Sequence, residues 1–116
     1  MDPVEINAGR FYLRALRHDG RVDDLPAVRE FEPGAGPEYV ERRDAGWAAG
    51  ELYSWAVCAQ TDVELLAEVD CVPVDGGARV TGFVRPGSAD AEDALAEGTA
   101  AVRRFTEGHL GLTVLD

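Results

Sequence analysis

This sequence predicts a mixed α/β fold of the α+β kind, and three observations carry that reading. Three consecutive strand-like runs between Ser54 and Arg85 are separated only by short turns, as in an antiparallel meander. An amphipathic helix over Ala91 to Gly108 follows, and then an apolar run from Leu110 to Leu115. Strand, helix and strand in that order imply a parallel pair joined by a right-handed crossover, which makes the sheet mixed. No internal repeat or low-complexity tract interrupts the order.

Composition narrows the function classes. A chain of 116 residues with 46% hydrophobic content is read as one domain, residues 1–116, with a moderate core. No apolar run approaches bilayer length, and the stretch from Met1 to Ile6 has neither the basic nor the apolar region of a secretory signal. A cytoplasmic location with no membrane partner is therefore expected. The formal net charge is −11, from 22 acidic and 11 basic residues, and every basic residue is arginine. Nucleic-acid binding needs clustered positive charge, so that class is disfavoured. Without lysine, Schiff-base chemistry and a lysine general base are excluded. Cys58 and Cys71 fall in apolar strand-like runs and read as buried free thiols.

Arg10 to Arg17 alternates as a strand, with Phe11, Leu13, Ala15 and Leu16 apolar and Arg10, Arg14 and Arg17 polar. Asp23 and Asp24 ahead of Leu25-Pro26 mark a helix start, with Leu25, Val28 and Phe31 on one face. The turn-rich stretch from Glu32 to Pro37 is too short for an interdomain linker. A second helix, Glu38 to Ala49, places Tyr39, Val40, Arg43 and Trp47 on one stripe and stops at Gly50. Strands at Ser54 to Gln60, Leu65 to Val74 and Ala78 to Arg85 follow, the last after a Gly76-Gly77 turn. In the long helix, Ala94, Leu95, Gly98, Ala101, Val102 and Phe105 form the core-facing stripe.

The start of that helix is the most telling feature. A strand, a loop and a helix N-terminus together attract phosphate, because free amides and the macrodipole point at the ligand. Here the helix opens with Asp90, Glu92 and Asp93, so the anions are already built in.

The runs Phe11–Arg17, Asp24–Ala27, Trp55–Cys58, Glu64–Val69 and Gly82–Pro86 resemble the GNAT acyltransferases, most closely the actinobacterial branch acting on ribosomal-protein N-termini and small amines. The resemblance implies a GNAT-like fold of strand, two helices, three antiparallel strands, helix and strand. It also implies a fork between the family's fourth and fifth strands that holds acetyl-CoA. The backbone of Phe83, Val84 and Arg85 would pair with the pantetheine. The family's diphosphate loop, Arg/Gln-x-x-Gly-x-Gly/Ala, falls on Ala89, Glu92 and Ala94, and only Ala94 is compatible. Relative to the family, a further helix and two strands would be lacking after Asp116, along with the Tyr or Ser that protonates the leaving thiolate; the domain is expected to be truncated.

Candidate chemistry is sparse. Glu68 and Asp70, two apart on a strand, project from one face and could act as acid and base. The plainer reading, which we favour, is an exposed polar face opposite Ala67, Val69 and Cys71, although the named branch often has Glu at position 68. His18 and His109 lack partners at metal or triad spacing, so no metal is assigned. Trp47, Tyr53 and Trp55 could line a pocket but suit a core. Arg85 is the one cation near the phosphate loop. Two functions follow. The first is a pseudoenzyme of GNAT type that has lost acetyl-CoA, has no cofactor, and binds a small molecule or a protein, with room for repurposed chemistry; a homodimer or another subunit is the expected partner. The alternative is an active acetyl-CoA-dependent N-acyltransferase acting on an amine or a protein N-terminus.

Overall fold

The computed structural model describes residues 1–115. One sheet carries six strands in the order of the chain: β1 (Ile6–Ala8), β2 (Phe11–Arg14), β3 (Tyr53–Ala59), β4 (Leu65–Val74), β5 (Gly77–Val84) and β6 (Val114–Leu115). All neighbours are antiparallel except β5 and β6, the parallel pair that the crossover requires. Helices α1 (Leu25–Val28) and α2 (Pro37–Ala49) connect β2 to β3, and α3 (Ala89–Gly108) connects β5 to β6. Among the described residues no helix is long and apolar enough to cross a membrane.

The sheet is covered on both faces. On one, α3 lays Ala94, Ala101 and Val102 against Leu13, Val57, Val69, Cys71 and Ala78. A side chain at Gly98 would stand 2.7 Å from Val57, so this glycine sets how closely α3 approaches. On the other face α1 and α2 bury Leu25, Val28, Tyr39 and Val40 with Leu16, Ala56, Cys58 and Leu65. A bulge reconciles the two. Val57 pairs with Ala67 but Cys58 pairs with Leu65, so Leu66 is extra and Leu65 turns toward the α1–α2 face. Trp47, Tyr53, Trp55 and Phe105 form edge-to-face pairs with centroids 5.0 to 5.3 Å apart, a core arrangement. Both thiols are free and buried, and burial pushes Cys58 up to about 11.

Several element boundaries differ from the sequence reading. β1 is an additional strand, joined to β2 by a Gly9–Arg10 turn with Gly9 at φ +66°. The strand expected over Arg10 to Arg17 ends at Arg14, because Asp24 takes the Arg17 amide at 2.7 Å and returns its own N–H to the Arg17 carbonyl at 2.8 Å. Arg14 is not on a solvated face. It is 5% exposed and doubly hydrogen-bonded to Asp24 at 2.8 and 2.9 Å. Asp24 therefore serves Arg14 and the Arg17 amide, with no side-chain bond capping α1. The Leu110–Leu115 run is a strand only at Val114–Leu115, because Gly111 sits at φ +69° and breaks extension. The turn before β5 is Asp75–Gly76, and Gly77 already pairs with Val74. A Cβ at Gly77 would lie 2.1 Å from the Thr113 carbonyl oxygen, so β6 reaches β5 across a bare backbone.

Candidate functional site

The carboxylates Glu68 and Asp70 lie on the α2 face of β4, beside Ala56 and Ser54 of β3 and Phe83 and Thr81 of β5. They are not an exposed polar face: Glu68 is 0% and Asp70 5% exposed. The expectation fails because alternation on a strand shows only that two faces differ, and here α2 covers the second one. From α2, the Tyr39 hydroxyl donates to Glu68 Oε1 at 2.6 Å and Arg43 Nε donates to Oε2 at 2.8 Å. Arg43 Nη2 lies 3.5 Å from Asp70 Oδ2, and its guanidinium sits 3.5 Å over the Tyr39 ring. Tyr39 and Arg43 are one helical turn apart, so one face of α2 delivers both.

One cation serves two carboxylates, and the charge balance requires a retained proton. Burial, then the hydrogen bond and charge of Glu68, push Asp70 from 3.8 up to about 9. Burial and the Glu68 charge likewise push the Tyr39 phenol well up; burial acts to lower Arg43, but the charge and hydrogen bond of Glu68 with the charges of Asp70 and Tyr39 together raise it. At neutral pH Asp70 is held neutral beside Arg43 and Glu68. Asp70 Oδ1 and Ser54 Oγ, on directly paired residues, are buried without a hydrogen-bond partner among the described residues. Chemically this is an acid and a base in contact but sealed beneath α2.

The second part of the site is the β5–β6 fork. Among the described residues β6 pairs with β5 only at Ala78 and Arg79. Ala78 donates to Thr113 on the β6 side at 2.9 Å, whereas Arg85 donates to Leu66 on the β4 side at 3.2 Å. Alternation therefore turns the backbone of Val80, Gly82 and Val84 toward the β6 side, and the register commits the Val80 amide to Leu115. Of the three positions named for pantetheine, Val84 faces the fork, while Phe83 and Arg85 face β4. The Phe83 ring stacks on Phe31 at 5.6 Å.

Above the fork, α3 begins at Ala89 with Asp90 and Glu92 in its first turn and no side-chain cap from Ser88. Asp93 is turned away to Arg10 at 3.2 Å. Arg85, the cation expected to offer weak anion binding, is held between Glu30 and Glu64, whose hydrogen bonds raise its pKa. It lines a cavity of about 250 Å³ with Asp24, Ala27, Glu30 and Leu65. A concavity of about 620 Å³ lies at the opposite edge of the sheet around Asn7, Tyr12, Gln60 and Asp62. His18 does have a partner, Asp23 at 2.9 Å, but both are exposed and no nucleophile joins them. His109 stacks on Phe105 at the end of α3. Among the described residues no His, Cys, Asp and Glu cluster could hold a metal.

A six-stranded sheet whose single parallel pair opens as a fork beside a helix N-terminus is a specific arrangement, and solved structures share it. A Vibrio cholerae protein described as a candidate ribosomal-protein-serine acetyltransferase matches with a TM-score of 0.80 and 16% identity, over 98% of this chain and 74% of that one. The fold is the GNAT fold. An acetyltransferase from Agrobacterium tumefaciens matches at a TM-score of 0.68 and 15% identity, over 94% of this chain and 70% of that one. No protein-family model and no curated protein matches the sequence. Within this GNAT-fold chain, Tyr39 and Arg43 are the site residues that sequence reasoning placed only on a core stripe. An arginine amid Tyr39, Val40 and Trp47 was the signal, because a cation on a buried stripe demands a carboxylate opposite.

Proposed function

We propose that this GNAT-fold chain has lost acetyl-CoA binding and acts by binding a small molecule or a protein. The observation that carries the reading is the electrostatics of the fork mouth. The amides that would cradle a diphosphate are flanked by Asp90 and Glu92, and two nearby cations are already committed, Arg85 to Glu30 and Glu64 and Arg10 to Asp93. An incoming diphosphate meets two uncompensated carboxylates and must displace two more to reach a guanidinium. The sealed state of Glu68 and Asp70 supports the same reading, since both carboxylates are buried beneath α2.

A second reading, an active acetyl-CoA-dependent N-acyltransferase, draws on the backbone of Gly82 and Val84, turned away from β4, and on the Glu68–Tyr39 hydrogen bond of 2.6 Å. Calorimetric titration with acetyl-CoA separates the two. No saturable heat at millimolar ligand is expected; micromolar binding would sink the first reading. Under that reading, Asp90→Asn with Glu92→Gln raises any residual affinity for the coenzyme. Association with a second copy or another subunit belongs to the same proposal, and sedimentation at several concentrations reads it directly.

A further inference from the structure

At the sheet edge opposite the fork, we infer that the hollow walled by the β3–β4 loop binds a small primary amine with an apolar body. An arylalkylammonium ion is the simplest such ligand. The inference goes beyond the proposed function, because none of its residues belongs to the fork and it holds with or without acetyl-CoA there.

The floor is a row of directly paired residues. Asn7 of β1 stands opposite Tyr12 of β2, and Tyr12 opposite Cys58 of β3, so their side chains share the α1–α2 face. Those helices lie over β3 and β4 rather than over β1, which leaves Asn7 exposed and Tyr12 half-buried against the α1–α2 cluster. The hollow of about 620 Å³ falls within the roughly 300–1,000 Å³ of ordinary small-molecule pockets. Its wall, the loop of residues 60–64, is pinned from beneath. Arg14 Nη2 donates to the Val63 carbonyl at 2.7 Å, and Arg14 is itself locked on Asp24 in the core. Gln60 Nε2 donates to Asn7 Oδ1 at 2.7 Å and to the Phe11 carbonyl at 3.0 Å, and Asp62 Oδ1 takes the Glu64 amide at 3.0 Å. The wall is therefore held before a ligand arrives, which lowers the ordering cost of binding. Drawing the Val63 carbonyl inward leaves its side chain exposed at the rim.

Charge and hydrogen bonding select the ligand. Glu5 and Asp62 line the hollow and no arginine or histidine does. Neither carboxylate has an ion-pair partner among the described residues. With its nitrogen committed, Gln60 leaves only its acceptor oxygen for a visitor. A protonated amine supplies the missing cation and three N–H donors. Its apolar body has the Tyr12 ring, Ile6 and the exposed Val63 to rest on. An anion of the same size meets two carboxylates without a compensating cation and is refused.

The test titrates the full, isotopically labelled chain with phenethylamine, and with phenethyl alcohol and phenylacetate as neutral and anionic controls of like size. The expected result is saturable binding of the amine that weakens with salt. The amine binds at least about tenfold more tightly than the alcohol, and phenylacetate does not bind. Amide signals of Asn7, Tyr12, Gln60 and Asp62 move during the titration, whereas those of Val84 and Ala89 stay. Glu5 and Asp62 are exposed, so Glu5→Gln with Asp62→Asn keeps the fold and the shape of the hollow. The double variant weakens the amine by about tenfold and leaves the alcohol unchanged. An amine that does not saturate at millimolar concentration, a control that binds as tightly, shifts confined to the fork, or a double variant that binds as before overturns the inference. Acetyl-CoA titrated alone decides the proposed function, and failure of the amine leaves that reading standing.

Discussion

The two faces of the sheet solve burial differently. On the α3 face small residues let a helix lie close: Gly98, Ala94 and Ala101 pack over Val57 and Val69, and the contact carries no buried ion pair among the described residues, only the Thr106 hydroxyl 3.3 Å from Cys71 Sγ. The α1–α2 face carries two buried ionic groups, Arg14 with Asp24 and Arg43 with Glu68 and Asp70. Buried ion pairs add little net stability because desolvation offsets their attraction, yet losing one partner is expensive. Both faces bury an apolar cluster, and the α1–α2 face adds to its own a polar burial that a plain core would avoid.

Breaking the polar face should cost most. Arg43→Met leaves Glu68 and Asp70 buried without a cation, and we expect a loss of about 3–5 kcal/mol in denaturant unfolding. A loss below about 1 kcal/mol would show that the group is not a coupled unit. Asp70 gives this face a pH signature. Its folded pKa of about 9 lies above its ordinary 3.8, so the folded state binds the extra proton and stability falls as pH rises between those values. The slope approaches about 1.4 kcal/mol per pH unit at most. Thermal melts of Asp70→Asn, which imitates the protonated acid, should lose that slope, and an unchanged slope would assign it elsewhere.

The apolar face answers on a smaller scale. Gly98→Ala presses a methyl group toward Val57 and should cost about 1–3 kcal/mol by overpacking, with no change in the pH profile. Smallest, and of opposite sign, is Ser54→Ala. It removes a buried hydroxyl without a partner and should stabilise the chain by about 1 kcal/mol. Destabilisation there would mean that the hydroxyl has a partner in solution.

Much of the fold was legible because the strongest signals are periodic. The meander, α2, α3 and the parallel last strand all follow from alternation, a 3.6-residue stripe and glycine breaks. β1 escaped because Ile6-Asn7-Ala8 is too short to show a period; the Gly9 turn before Phe11 was its only trace. The site was half legible. Asp90 and Glu92 at the start of α3 can be read locally, since a helix N-terminus is a property of adjacent residues. The burial of Glu68 and Asp70 cannot, because it depends on α2 crossing a strand more than twenty residues further along the chain. The same holds for Arg85, whose partners Glu30 and Glu64 come from two other segments.

Gly77 governs more than its own turn. With the Thr113 oxygen where a methyl group would have to go, any larger residue at this position would pry the last strand off its neighbour and unzip the sheet from that side. The sixth strand is thus fastened to the sheet through a single missing side chain.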